Sequence, residues 1–371
     1  MGFLKNLFGA KDEPNTIDSV RITTKEEFWS WFQSRESEFA AIIRTRDSAK
    51  MEQRIFGPLS ESLEQLREGI YFQMGMADDD TAELVLTPEG NPKNIAFVEE
   101  LIAAAPSIHG WLFTALKKPE LGTYIEMNGL KFGVDTLKFY PIVHEDMPDL
   151  VDITFVHDQF GGGSDDTIKR GSFLFLENFL GELDFLTKVD YVSFNRAADA
   201  EKDLIPIDAL PNFLDTRQAL FVEKYDGVRI FTDSDPHVIM EATHESGHRL
   251  VATVNEDLLK WDKKASHPWI LFVTIEYDCT HHGGLPDGET AEELNAIEDS
   301  IMAQLRDQDG YLNIGRDAAK NVRTIYFACI EFRNASKVLD RVIKDYRGKL
   351  SINYEISHDK YWQAVDHFRQ S

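Results

Sequence analysis

The sequence predicts an α+β protein whose C-terminal part forms an antiparallel sheet with two helices on one face. Between Trp269 and Ile356, runs of β-branched and aromatic residues alternate with segments whose apolar residues recur every three or four positions. Residues typical of turns and helix ends separate these runs. The resulting order is strand, helix, strand, strand, helix, strand. This order indicates the ferredoxin-like split βαβ arrangement, in which right-handed crossovers place both helices on the same face.

Each element of this unit has its own local pattern. In the first strand, Leu271, Val273 and Ile275 form an apolar face, which suits a sheet with one face on a core. Thr290 and Glu293 match a capping box at the start of the first helix. The predicted strands lie over 270–277, 311–314, 322–330 and 350–356, and the predicted helices begin near 290 and 334.

The segment before this unit predicts a β-meander. Two predicted strands, 219–225 and 228–232, flank Asp226-Gly227, a typical hairpin turn. Strands over 238–243 and 249–254 follow.

The sequence upstream of the meander alternates helical and strand patterns. We predict α+β structure there, of one or more units whose relation to the C-terminal unit stays open. The two prolines in 206–218 favour a linker. The predicted division is a flexible arm over 1–20, an N-terminal α+β domain over 21–205, a linker over 206–218 and a C-terminal domain over 219–371.

Several C-terminal motifs resemble those of a known family. The motifs are His267-Pro268-Trp269, Gly284-Leu285-Pro286-Asp287, Leu294-x-x-Ile297-Glu298-Asp299, Gly310-Tyr311-Leu312-Asn313-Ile314-Gly315-Arg316 and Arg323-x-Ile325-Tyr326-Phe327. They resemble the bacterial domain-of-unknown-function family 695, over roughly the last third of the chain. The resemblance implies a fold similar to that of the regulator of ribonuclease E activity B, a small inhibitor protein. It implies no catalytic residue.

Composition narrows the class of partner. The chain of 371 residues has 39 Lys and Arg against 64 Asp and Glu, for a net charge of −25. This charge repels nucleic acid and anionic membranes, and no run of residues is long enough to span a membrane. The acidity serves solubility, or it offers a surface to a basic protein partner. Two cysteines and no recognisable secretory signal predict a cytoplasmic protein. The oligomeric state is open.

One motif matches the sequence signature of zinc proteases. His244-Glu245-Ser246-Gly247-His248 matches H-E-x-x-H, in which the chemistry requires a helix that places both imidazoles on one face. The flanking residues are strand-like, and Ser246-Gly247 has the character of a turn. We therefore predict the tip of a hairpin and no protease.

A second group of residues has metal-ligating chemistry. Cys279, His281, His282 and Cys329 would form a tetrahedral Cys₂His₂ set if the first and third strands of the unit were parallel neighbours, as we expect. The alternative is that both cysteines are buried, unreactive core residues, because each shares strand parity with apolar neighbours. We predict no cofactor and no metal, and we keep these four residues as the candidates.

Two functions from different classes follow. The first is a non-enzymatic protein-binding or regulatory module with an acidic surface, and it is the one we favour. The alternative is a hydrolase, metal-dependent or not, with its site near Cys279, His281 and His282 or between the two halves.

Overall fold

The structure is a computed structural model that describes residues 21–243 and 247–369. The predicted arm over 1–20 lies outside the described residues. The α-helices are α1 Lys25–Gln33, α2 Glu36–Thr45, α3 Ser48–Met51, α4 Gly57–Leu66, α5 Pro92–Ala103, α6 Asp165–Leu180, α7 Glu182–Lys188, α8 Leu210–Tyr225, α9 Glu256–Lys260, α10 Gly288–Met302 and α11 Arg333–Asp345. The strands are β1 Tyr71–Met76, β2 Ala82–Thr87, β3 Trp111–Ala115, β4 Ile125–Met127, β5 Leu130–Phe132, β6 Leu137–Ile142, β7 Asp152–His157, β8 Tyr191–Asn195, β9 Ile205–Pro206, β10 His237–Thr243, β11 Arg249–Asn255, β12 Trp269–Glu276, β13 Tyr311–Ala319, β14 Val322–Cys329 and β15 Ser351–His358.

The C-terminal part is built on a sheet with the strand order β10-β11-β13-β14-β12-β15. All neighbouring strands in this sheet are antiparallel. The α+β class is therefore confirmed, and the meander strands β10 and β11 extend the sheet beyond β13. The assignment of β12 to β15 with α10 and α11 to the ferredoxin-like arrangement stays a prediction.

The alternation of β12 places apolar side chains on both faces of the sheet. Leu271 and Val273 pack into one core together with residues of α10 and α11. Ile270 packs on the other face, where Trp362 and Val365 of the C-terminal segment cover it. The indole nitrogen of Trp362 also donates to the carbonyl oxygen of His267 at 2.9 Å. The expectation of one core face is therefore too simple, because the last residues of the chain fold back over the second face.

The N-terminal helices share a core with the C-terminal sheet. The sheet β1-β2-β3 and helices α1, α2, α4 and α5 contribute to the same apolar cluster as α10 and α11. Charged pairs join the edges of this contact: Arg67 lies 2.7 Å from Asp340, and both ends of the Arg333 guanidinium lie 2.8 Å from the Glu99 carboxylate. Helix α5 thus packs directly on α11.

A separate core lies in the middle of the chain. The sheet β8-β7-β6-β9 packs against α6 and α8 through a cluster that includes Phe155, Phe175 and Leu214. The predicted hairpin over 219–232 is wrong, because residues 210–225 form α8. Residues 206–218, predicted as a linker, form β9, a 3₁₀ turn and the start of α8, with Leu210 buried in this core. The domain boundaries themselves stay a prediction.

Within residues 21–243 and 247–369, none of the helices combines the length and the apolar character that crossing a bilayer requires.

Candidate functional site

The candidate site lies in the loop between β12 and α10, and the β13–β14 turn holds this loop in place. The Tyr277 hydroxyl donates to the carbonyl oxygen of Gly284 at 2.9 Å. The backbone amide of Asn321 donates to the same oxygen at 2.9 Å, and the Asn321 side chain accepts from the Cys279 amide at 3.1 Å. Two contacts from Asn321 and one from Tyr277 within the loop therefore fix the backbone of a loop that is rich in glycine.

Gly284 marks the point of closest approach between the loop and the turn. Its φ is +80°, and an added Cβ would lie 3.0 Å from the Cα of Lys320. Lys320 and Asn321 themselves have φ of 51° and 65°, the left-handed conformation of a two-residue hairpin turn. A side chain at Gly284 would be strained and would push the loop away from this turn.

Three ligand-type side chains meet in this loop. One ligand atom each from Cys279, His281 and Asp287 lies within 4.8 Å of the other two. His281 Nε2 is 3.2 Å from Asp287 Oδ2. The His281 side chain is 69% exposed and that of Asp287 is 38% exposed, whereas Cys279 is fully buried beneath them. The cluster therefore has a buried thiol at its base and two solvent-accessible groups at its mouth.

Asp287 owes its place in the cluster to the start of α10. It is the N-cap residue, and its Oδ1 accepts from the Thr290 amide at 3.0 Å. Hydrogen bonds from the Thr290 backbone and side chain lower the pKa of Asp287 below its usual range, and His281 adds to this effect. The N-cap is thus three residues earlier than predicted, and Asp287 is held ionised with Oδ2 directed toward His281.

The structure separates the four predicted metal candidates. Strand β14 runs antiparallel to β12, and Cys329 pairs with Trp269 at the beginning of β12. Cys279 lies beyond Glu276, the last residue of β12, so the two cysteines are at opposite ends of the strand. The expected parallel pairing is wrong, because the tight β13–β14 turn reverses the chain direction before β14 pairs with β12. His282 also lies outside the cluster, with Nδ1 3.2 Å from the carbonyl oxygen of Leu285.

Asp287 is the cluster residue that the metal prediction missed. The signal in the sequence was present: an Asp-Gly pair directly before an amphipathic helix is a strong N-cap pattern. An N-cap aspartate has one carboxylate oxygen free for another partner, which makes it a candidate ligand.

The opposite end of β12 contains the same residue types in a closed setting. Burial raises the pKa of the fully buried Cys329 thiol. His358 Nδ1 is 3.3 Å from Asp190 Oδ1, and burial lowers the pKa of this imidazole to about 4. The Lys360 ammonium lies 2.6 Å from Asp190 Oδ2 and supplies the positive charge. The Asp190 carboxylate is therefore already paired with a cation of the protein.

The H-E-x-x-H motif connects two paired strands. Thr243 of β10 faces Arg249 of β11 across an antiparallel ladder. Residues 244–246, which include the first histidine and the glutamate, lie outside the described residues. The absence of a protease site stays a prediction.

The candidate site lies within a strongly acidic stretch. Residues 265–305 contain eight Asp and Glu and no Lys or Arg. Four of these acids, Glu289, Glu292, Glu293 and Asp299, are exposed on α10. Among the described residues, none of these four forms an ion pair. The surface beside the cluster therefore attracts cations.

The fold and the site together define an α+β protein with a small Cys-His-Asp cluster on an acidic loop. The C-terminal part of the chain, residues 242–368, matches the model of a family of unknown function, DUF695. The predicted family resemblance is thereby confirmed for this part. No curated protein and no solved structure matches the chain. The similarity to the regulator of ribonuclease E activity B stays a prediction.

Proposed function

We propose that this protein is a non-enzymatic, cytoplasmic binding protein, and that the exposed face of α10 binds a Lys- and Arg-rich segment of a protein partner. The acidic stripe on α10 is the observation that carries this proposal. Glu289, Glu292, Glu293 and Asp299 recur at helical spacing on the side opposite to the buried Leu294 and Ile297. Because they are exposed and form no ion pair with described residues, they are available to an external cation.

The charge of the whole chain favours the same class of partner. A net charge of −25 attracts basic proteins at long range and repels nucleic acid and anionic lipid. Exposed charges mainly raise association rates and confer salt sensitivity. We therefore expect binding that weakens strongly as salt concentration rises.

The two cysteines support the proposed cytoplasmic location. Cys279 and Cys329 are both free and buried, and the strand register keeps them at opposite ends of β12. A chain of this size with two unpaired thiols is typical of a reducing compartment.

A matched pair of triple variants tests the proposal. One removes the α10 charges by Glu289→Gln, Glu292→Gln and Glu293→Gln. The control removes the same number of exposed charges elsewhere by Glu52→Gln, Glu61→Gln and Glu64→Gln. Calorimetric titration with a lysine-rich peptide measures both at low and at high salt.

We expect the α10 triple variant to bind the peptide roughly tenfold more weakly, since three exposed charge pairs contribute about 0.2–1 kcal/mol each. The control triple should bind nearly as well as the wild type. Equal losses in both variants, or wild-type binding that does not change with salt, would contradict a localised acidic site.

A further inference from the structure

We propose that Cys279, His281 and Asp287 form a binding site for one zinc ion. A thiolate, an imidazole nitrogen and a carboxylate oxygen are the three ligand types that zinc uses in proteins. The mixture of soft and harder donors favours zinc over calcium or magnesium, which require oxygen ligands. This inference does not depend on the proposed partner binding.

The distances agree with a site that needs only small side-chain movements. In tetrahedral zinc sites with bonds of about 2.0–2.3 Å, ligand atoms lie roughly 3.3–3.8 Å apart. His281 Nε2 and Asp287 Oδ2 are 3.2 Å apart. The sulfur of Cys279 is within 4.8 Å of one imidazole nitrogen of His281 and of one carboxylate oxygen of Asp287. The zinc ion would replace the hydrogen bond between the imidazole and the carboxylate.

Cys279 and Asp287 each have a second contact that orients the ligand, and the turn that carries His281 is held by its neighbours. Thr290 Oγ1 lies 3.2 Å from the Cys279 sulfur, within hydrogen-bond distance. The Thr290 amide holds Asp287 Oδ1, so that Oδ2 faces His281. Asn321 accepts from the Cys279 amide and donates to the Thr280 hydroxyl at 3.1 Å, which fixes the turn that carries His281. Supporting contacts of this kind are general in metal sites, where they set ligand orientation.

The electrostatic setting also favours a divalent cation. The surrounding stretch, 265–305, has eight acidic residues and no Lys or Arg, and of these acids Glu298 pairs with Arg316 of β13. The cluster differs in this respect from the opposite end of β12, where the Lys360 ammonium neutralises Asp190. A divalent ion at Cys279 would offset the charge of a thiolate and of Asp287 together.

The number of protein ligands determines whether a zinc site is closed or keeps an open position. Three protein ligands leave the fourth zinc position to water or to an external ligand, as in zinc sites that bind or activate small molecules. His281 is exposed, so this fourth position would be accessible to solvent.

Zinc content of the full chain is the primary test. The protein is equilibrated with equimolar zinc, dialysed and analysed by mass spectrometry of the metal. We expect about one zinc per chain in the wild type and almost none in His281→Ala. His282→Ala is the matched control, because His282 is the adjacent exposed histidine and lies outside the cluster. It should retain the wild-type zinc content.

A second set of variants separates ligation from folding. Asp287→Asn keeps a good N-cap but removes the carboxylate charge, so it should lose zinc while α10 stays folded by circular dichroism. Thr290→Val should weaken zinc binding by about 10–100-fold, and Thr290→Ser should not. With cobalt in place of zinc, the wild type should show a thiolate-to-metal charge-transfer band that Cys279→Ser lacks.

Two results would overturn the proposal. The first is wild-type protein that emerges from dialysis without zinc. The second is zinc retention by His281→Ala and Asp287→Asn at the level of His282→Ala, which would place the ion elsewhere.

Discussion

Strand β12 has a cysteine, a histidine and an aspartate close to each of its ends, and the two groups differ in burial and in charge. Near its beginning, Cys329 is buried, the side chains of His358 and Asp190 are only 10% and 8% exposed, and Lys360 pairs with the carboxylate. Beyond its end, Cys279 is buried but His281 and Asp287 reach solvent. We therefore place the proposed metal site at the second end, where, among the described residues, no Lys or Arg pairs with the carboxylate.

At the beginning of β12, which we call the closed end, distant parts of the chain are in contact. Asp190 precedes β8 and also accepts from the Val151 amide at 2.6 Å, whereas Lys360 follows β15. Lys360 additionally donates to the carbonyl oxygen of Asp149 at 3.0 Å. These contacts tie the middle core to the C-terminal sheet, which explains why this end is closed.

The largest expected effect is from breaking this closed end. Lys360→Met removes the cation and leaves a carboxylate whose side chain is only 8% exposed. Removal of one partner of a buried ion pair costs about 3–5 kcal/mol, and we expect a loss of that size in the free energy of unfolding by urea. Lys260→Met is the control, because the Lys260 side chain is 69% exposed, and it should cost less than about 1 kcal/mol. Equal small losses of unfolding free energy in both variants would mean that Lys360 and Asp190 do not act as a buried ion pair.

The two cysteines should differ in what their replacement changes. Cys329→Ser places a hydroxyl in the apolar cluster that also contains Trp269, its partner across the strand pair, and Phe332. An unsatisfied buried hydroxyl costs about 1–3 kcal/mol, so unfolding free energy should fall by that amount while zinc content stays unchanged. Loss of zinc in Cys329→Ser with a folded protein would contradict the separation of the two ends.

The buried imidazole should give the closed end a pH dependence. The pKa of His358 is lowered to about 4, whereas an unfolded histidine has a pKa near 6.5, so the unfolded state binds more protons between these values. Stability should therefore fall as pH decreases from about 6.5 toward 4, by at most about 1.4 kcal/mol per pH unit from this group. His358→Gln should reduce this slope in urea unfolding measured at several pH values. An unchanged slope would show that His358 is not the group responsible.

The smallest expected effect concerns the contact between α5 and α11, which lies away from both ends. Arg333 binds Glu99 through two nitrogens, but both side chains are about one-third exposed. Arg333→Lys loses the paired geometry and should cost about 0.2–1 kcal/mol in thermal or urea unfolding. A loss of unfolding free energy as large as that of Lys360→Met would mean that solvent exposure does not determine how much these ion pairs contribute to stability.

Periodicity predicted the elements of the C-terminal sheet well, because its strands and helices have strong local patterns. It failed where one pattern fits two structures. Asp226-Gly227 after apolar residues predicts a hairpin, yet a glycine with φ of +68° also suits the region just after a helix, and α8 ends at Tyr225. Packing of Leu210 and Leu214 in the middle core favours the helix.

The sequence predicted two of the three residues of the candidate site, Cys279 and His281. Cys279 and His281 are neighbours in sequence, so their proximity needs only a turn. Asp287 joins them because the loop folds back at Gly284 against Asn321, a contact between distant residues. Cys329 was placed wrongly because the tight β13–β14 turn reverses the chain direction, so that β14 runs antiparallel to β12.

The most direct test of the difference between the two ends is anomalous diffraction at the zinc edge from crystals grown with equimolar zinc. We predict one peak among Cys279 Sγ, His281 Nε2 and Asp287 Oδ2, and no peak beside Cys329, His358 and Asp190. A peak at the closed end, or no peak at the loop in crystals of otherwise well-ordered protein, would contradict the account.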